Sequence, residues 1–284
     1  SQELADLMVG REVSFKTEKA AAKTGATVLK MADLEVHDAR GVTAVKDFSL
    51  EVKSGEIVGI AGIDGNGQTE LIQAITGLTK VQAGHVLLQG KEVTNKRPRQ
   101  ITEAGVGHIP EDRLRFGMEV DMTLSENLAL QTYYKAPLSK NGVLQTDEMD
   151  KLANKLVEEF DVRAAGIQVT AGSMSGGNQQ KAVIARELNR DNELIIAAQP
   201  TRGLDVGAIE YIHQRLIAQR NAGKAVLVVS FELDEILNLS DRIAVINAGK
   251  IVGIVDAKDT NKQELGLLMT GMSLSDARAA LKEE

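Results

Sequence analysis

One stretch of this 284-residue chain restricts its fold more than any other. A short apolar strand, Glu56-Ile57-Val58-Gly59-Ile60-Ala61, runs into Gly62-Ile63-Asp64-Gly65-Asn66-Gly67 and then into a helical pattern over Thr69–Leu78. Leu71, Ile72, Ile75 and Leu78 fall on one helical face. In a strand, glycine loop and helix so ordered, backbone N–H groups turn inward around an anion and the helix aims its positive end at the same point. Gly62-x-x-x-x-Gly67-Gln68-Thr69 is one residue away from Gly-x-x-x-x-Gly-Lys-[Ser/Thr]. In the intact motif the Lys brings a fixed charge to the β- and γ-phosphates and the hydroxyl holds Mg²⁺. Gln68 donates hydrogen bonds but brings no charge, while Thr69 remains. The loop by itself is also compatible with a tight glycine turn that binds nothing.

The composition agrees with a buried parallel sheet. Aromatics make up 3% of the chain and Trp is absent, so the core must come from Val, Ile, Leu and Ala. The absence of Cys excludes disulfides, thiolate metal sites and thiol nucleophiles. A net charge of -7 argues against a sequence-independent grip on nucleic acid. No apolar run approaches the ~20 residues that span a bilayer.

Residues 28–55 alternate at period two and read as an antiparallel β-layer. Residues 117–190 read as mostly helical, with Leu124–Leu130 and Glu148–Phe160 at helical spacing and Pro137 and Asn141-Gly142 marking a loop. From Asn192 a βαβ alternation returns: strand Leu194–Ala197, helix Ala208–Asn221, strand Ala225–Ser230, helix Glu232–Leu239. A hairpin over Arg242–Val255 and a terminal helix over Leu274–Leu281 close the chain. Residues 1–27 read as a linker behind the tail of a preceding domain, and 273–284 as a tail.

Ser173-Met174-Ser175-Gly176-Gly177-Asn178-Gln179-Gln180-Lys181 places a hydroxyl and two glycines ahead of a helix, so free N–H groups converge at a positive helix end. That suits a terminal phosphate. A plain Ser N-cap is the other reading. The segment resembles the Leu-Ser-Gly-Gly-Gln signature of ATP-binding-cassette (ABC) nucleotide-binding domains, departing at Met174 and carrying Asn178 where Gln is commonest. Asn192 to Asp205 resembles the Walker B strand and D-loop of that family, with Ala198-Gln199-Pro200 where the family has Asp-Glu-Pro. Phosphate loop, Q-loop, signature, Walker B, D-loop and switch then follow in family order over about 28–272. Within the family, His108-Ile109-Pro110-Glu111-Asp112-Arg113 and Gln199-Pro200-Thr201-Arg202-Gly203-Leu204-Asp205 look like the carboxy-terminal cassette of two-cassette ATPases serving bacterial sugar and nucleoside importers.

The resemblance implies an α/β fold: a P-loop ABC ATPase core with an antiparallel β subdomain and an inserted helical subdomain at about 117–190. It implies a nucleotide site at Gly62, Gly65, Asn66, Gly67, Gln68, Thr69 and Glu70, with Thr69 as a weak Mg²⁺ ligand. No catalytic residue is intact. Gln199 stands at the catalytic Glu position, Phe231 at the switch His position and Glu111 at the Q-loop Gln position. Ala198 can hold no metal shell, and Gln199 cannot accept a proton, a role whose loss alone costs ~10²–10⁴-fold. Ser175, Gly176, Gly177, Asn178 and Gln179 would instead complete a site in trans, while Asp205 stands in the D-loop and could also be no more than a helix cap. The trans site would hold ATP on the first cassette of the same polypeptide. ATP and Mg²⁺ would bind weakly or not at all at this chain's own loop, and the isolated domain would hydrolyse little or no ATP. Implied partners are membrane-spanning permease subunits and, indirectly, a solute-binding protein, at the cytoplasmic face of a bacterial membrane, without nucleic acid. A soluble ABC-type switch or scaffold is the other function class. It would carry a long coiled-coil insertion or a basic arm, and neither is present.

His37, His85, His108 and His213 share no metal-ligand spacing and read as structural or surface residues. His37 or Arg40 is a weak substitute for the adenine-stacking aromatic of the family. Lys91, Lys96, Arg97 and Arg99 read as a solvated loop.

Overall fold

The computed structural model describes residues 19–283. In chain order the elements begin with β1 (Thr27–His37), β2 (Thr43–Lys53), β3 (Ile57–Ala61), α1 (Gln68–Ile75), β4 (Val81–Leu88), β5 (Lys91–Glu92), α2 (Pro98–Glu103) and β6 (Val106–Ile109). A π-turn at Arg113–Gly117, α3 (Leu124–Ala129), β7 (Ser139–Lys140), β8 (Val143–Leu144), α4 (Thr146–Glu159) and α5 (Gly176–Leu188) follow. The chain closes with β9 (Leu194–Ala198), α6 (Val206–Asn221), β10 (Ala225–Ser230), α7 (Leu233–Leu239), β11 (Arg242–Asn247), β12 (Lys250–Asp256), α8 (Lys262–Met269) and α9 (Leu274–Glu283).

These residues divide into two compact units. One takes the described chain up to His108, then Asn192–Gln199 and everything from His213 onward. The other takes Ile109–Asp191 and Pro200–Ile212.

Among the described residues the first unit carries two sheets. One is antiparallel, in the order β2-β1-β4-β5, and the other runs β12-β11-β3-β10-β9-β6. In the second sheet β3, β9, β10 and β11 pair in parallel and β12 adds an antiparallel edge. Every residue of β3, β9 and β10 is buried, as expected of parallel strands covered on both faces. Both sheets share a single core with α1, in which Phe48, Leu34, Ile60, Leu71, Ile196 and Leu227 are sealed from solvent. Burying each such side chain contributes roughly 1.5–3 kcal/mol before entropy is charged.

The second unit is a helical body. Ala129, Leu138 and Met149 pack together against Leu152. Thr123 and Glu126 form a reciprocal capping box that starts α3.

Several sequence expectations shift. The antiparallel layer reaches beyond 28–55, because β4 and β5 join it. The helix after the glycine loop ends at Ile75. Gly77 then turns with φ +78, and a Cβ there would lie 2.5 Å from the Lys96 carbonyl oxygen, which leaves Leu78 outside the helix and exposed. The loop at Asn141-Gly142 is a tight hairpin between β7 and β8, with both residues at positive φ.

Candidate functional site

In the first unit, β3 ends at Ala61 and α1 begins at Gln68, with the glycine loop between them. Two glycines here are dictated by space. A Cβ at Gly67, whose φ is +99, would lie 2.4 Å from the carbonyl oxygen of Ala44. One at Gly62 would meet Gln68 Nε2 at 2.5 Å and Ile246 Cγ2 at 2.6 Å. The loop is moored to the β11–β12 turn, since Asn66 Oδ1 accepts from the Ala248 N–H at 2.8 Å and its carbonyl accepts from the Gly249 N–H at 3.2 Å. Gly65 sits at the open tip with φ +85, Thr69 is exposed and Glu70 is half-buried in the first turn of α1.

Gln68 folds back over this loop. Its side chain is buried and Nε2 donates to the Ile63 carbonyl at 3.1 Å. A Lys at this place would carry a charge toward an anion, whereas Gln68 spends its donor on the loop's own backbone.

At the end of β9, Ala198 is buried and bears no oxygen donor. Gln199 follows with φ +47, its N–H donating to the Val229 carbonyl at 2.7 Å. Its Oε1 accepts from the Phe231 N–H at 3.4 Å, so the structure brings together the two residues that the resemblance assigns to the catalytic and switch positions. Gln199 Nε2 is buried without a protein partner. His37 bonds Glu35 at 3.0 Å and Arg40 pairs with Asp38 at 2.7 Å.

The second unit holds the serine-glycine segment. Ser175 is the N-cap of α5 but makes no side-chain cap bond to the helix backbone. Its Oγ accepts instead from Asn178 Nδ2 at 2.9 Å, and Asn178 Oδ1 accepts from the Arg163 N–H at 2.7 Å. The first N–H groups of α5 are thus left without the usual Ser cap. Gly176 and Gly177 are half-buried, and Gln179 is buried with Nε2 donating to the Ala171 carbonyl at 3.0 Å. Gln180 Nε2 donates to the Pro200 carbonyl at 2.9 Å, tying α5 to the segment before α6. Asp205 caps α6, Oδ1 accepting from the Ala208 N–H at 2.9 Å. Lys181 donates to the Asp161 carboxylate at 2.7 Å and holds that carboxyl below its usual range.

Glu111 pairs with Arg202 at 2.7 Å, and Arg113 Nε donates to Gln179 Oε1 at 3.3 Å. Both arginines stand within the quoted motifs, but sequence position alone gives neither a role. The contacts span 91 and 66 residues, and nothing local signals them.

The two sets of residues differ in what they can do. The glycine loop can receive an anion on backbone N–H groups, but Gln68 adds no cation and Ala198 no metal ligand. Among the described residues no cluster of three or more His, Cys, Asp or Glu could hold a metal ion.

Residues 45–202 match the family model described as ABC transporter, which is more than half of the chain. The chain belongs to the ABC transporter family. It is 62% identical over 276 residues to the nucleoside import ATP-binding protein NupA of Lactococcus lactis subsp. cremoris, covering 97% of this chain and 54% of that protein. It is 58% identical over 278 residues to the guanosine import ATP-binding protein NupO of Bacillus subtilis, covering 98% and 54%. The chain therefore spans about half the length of the curated relatives it matches. Among solved structures, an ABC transporter cassette determined as a dimer matches with a TM-score of 0.70 at 24% identity, over 82% of this chain and all of that one. A nucleotide-free cassette matches with 0.69 at 24% identity, over 81% and 92%. The fold is that of an ABC ATPase, mixed α/β with an antiparallel sheet and helical elements.

Proposed function

We propose that this chain is the second cassette of a two-cassette ATP-binding protein that drives uptake of nucleosides, or of simple sugars, through membrane-spanning permease subunits. Residues 28–272 form the cassette, with a helical insertion at about 117–190. In this reading the linker and the tail of a first cassette take residues 1–27, of which 1–18 lie outside the described residues, and 273–284 form a tail. The extent of the match supports this reading, because relatives with import names are about twice as long as the stretch they share with this chain. No helix among the described residues is long and apolar enough to cross a membrane. The chain would act peripherally, on the cytoplasmic side of a bacterial membrane.

The division of labour is asymmetric. The first cassette holds ATP on an intact phosphate loop, and this chain completes that site through Ser175, Gly176, Gly177, Asn178 and Gln179, with Asp205 beside them. At its own loop this chain holds nucleotide weakly and does not hydrolyse it. The observation that carries this reading is the contrast between two local structures. The α5 N-terminus keeps uncapped N–H groups behind two glycines. The glycine loop has its buried Gln68 amide bonded inward to Ile63.

The isolated chain is the test. It should turn over ATP at background rate. Turnover comparable to that of an intact cassette, abolished by Thr69→Ala, would contradict the asymmetry.

A further inference from the structure

The triplet Glu111-Asp112-Arg113 stands where the family carries its Q-loop, and its three side chains point to three different tasks. Asp112 caps the π-turn, accepting from the Leu114 and Arg115 N–H groups at 3.0 and 3.1 Å. This bond fixes the backbone from which the neighbouring side chains depart. Glu111 reaches Arg202, three residues ahead of Asp205, at 2.7 Å. Arg113 reaches α5, where Nε donates to Gln179 Oε1 at 3.3 Å.

The Gln179 amide has no choice of orientation. Its Nε2 is committed to the Ala171 carbonyl in a buried setting, so its oxygen must face the guanidinium. The far end of Arg113 then lies over Gly176, where a Cβ would fall 2.5 Å from Nη2. Gly117, at the end of the same turn, is buried, and a Cβ there would meet Arg113 Cβ and Val183 Cγ2 at 3.2 Å each. The turn is therefore seated on α5 as well as capped. The two targets of the triplet also adjoin each other, since a Cβ on Gly177 would lie 3.7 Å from Asp205 Oδ2.

We propose that Glu111-Asp112-Arg113 is a positioning clip that holds the Ser175–Gln179 turn and the Arg202–Asp205 segment in fixed register for the nucleotide of the neighbouring cassette. This rests on the trans reading above. A glutamine at the Q-loop position would serve a metal-bearing site on its own chain, which this chain does not build. A glutamate there gains an ionic partner in Arg202 and serves the neighbour's site instead. A cation beside the positive end of α5 is electrostatically unfavourable until an anion arrives, so Arg113 also biases that end toward phosphate.

Arg202 is 64% exposed, and so open an ion pair contributes little to folding stability. A functional effect of breaking it therefore separates cleanly from unfolding. The variants belong in the full two-cassette polypeptide assembled with its permease subunits. Steady-state ATP hydrolysis and thermal unfolding are then read together. Because ATP is held mainly by the neighbour's phosphate loop, kcat should fall while KM stays within about twofold. Glu111→Arg should lower kcat about threefold to tenfold, and adding Arg202→Glu should restore most of it. Arg113→Gln should lower kcat about tenfold, and Arg113→Lys, which lacks the planar fork, should not restore it. Unfolding temperatures should stay near wild type in the Glu111 and Arg202 variants. Wild-type kcat in Glu111→Arg and Arg113→Gln overturns the clip, as does a charge-swapped double variant no faster than Glu111→Arg. Ser175→Arg serves as the reference arm. If it abolishes hydrolysis while the clip variants are silent, only the clip fails. If it leaves hydrolysis intact, the trans reading fails and the clip with it.

Discussion

Gln199 Oε1 accepts from the Phe231 N–H at 3.4 Å while its own Nε2 is buried with no protein partner. Restoring a carboxylate at this one position should therefore not restore chemistry. Gln199→Glu would bury a charge beside one backbone donor, and the preceding residue, Ala198, supplies no metal ligand. We expect the isolated chain to remain at background turnover and to lose roughly 2 kcal/mol of stability, the order of cost of an unpaired buried polar group. ATPase assays with denaturant titration check both.

Gln68 is the site residue closest to repair. Its amide bonds inward to Ile63, and Gln68→Lys would replace that contact with a charge facing the loop. The expected result is nucleotide binding tightened by about tenfold, which corresponds to ~1.4 kcal/mol, with no gain in turnover. Binding of a fluorescent ATP analogue measures the first and phosphate release the second. Unchanged affinity would show that charge is not what the loop lacks.

Arg220 and Asp241 form a buried double contact, Nη2 to Oδ1 at 2.6 Å and Nε to Oδ2 at 3.1 Å, and Asp241 Oδ2 also accepts from the Ile57 N–H at 2.9 Å. The pair ties the end of α6 to the residue before β11 and, through the Ile57 N–H, to the start of β3. Arg220→Met would leave the carboxylate with only the Ile57 N–H and the more distant Lys19 Nζ, at 4.0 Å, as partners. A loss of about 3 kcal/mol in equilibrium unfolding is expected, as for one partner removed from a buried ion pair.

Lys181 and Asp161 give a pH signature. The hydrogen bond from Lys181 holds the Asp161 carboxyl below its usual value. A depressed carboxyl stabilises the folded state above the unfolded pKa of about 3.9, and the stability is lost as pH falls through the lower folded value. Lys181→Met should thus be less stable than wild type at neutral pH by under about 1 kcal/mol, since Asp161 is half exposed. The gap should narrow below about pH 4, because both proteins then carry a protonated Asp161. Urea midpoints at neutral and acid pH test this, and a gap that widens in acid would refute it.

The sequence displayed what depends on local period and turn chemistry. β3, the glycine loop and α1 were legible because five consecutive apolar or small residues precede a loop with three glycines and a helical stripe. β4 was not, because Gly84 at φ +88 breaks its alternation where it packs against the Asp33 and Ala32 carbonyls of β1. The Leu78 error has the same origin, since the helical period continues past Ile75 but Gly77 must turn against Lys96. The Ser175 segment was visible as a motif, yet its hydroxyl's bond to Asn178 rather than to the helix backbone depends on how Arg163 orients the Asn178 amide. The Glu111–Arg202 pair joins residues 91 positions apart, and no pattern within either segment announces it.

In the proposed trans reading, the hydroxyl of Ser175 and the two glycines after it are the chain's contribution to a triphosphate held mainly by the neighbouring cassette. Steady-state ATP hydrolysis by the full polypeptide bearing Ser175→Arg, assembled with its permease, probes that contribution most directly. The bulky cation replaces a small polar group at the open end of α5. Turnover should fall by at least ~100-fold, the scale of losing a transition-state donor. Turnover within about twofold of wild type would contradict the account.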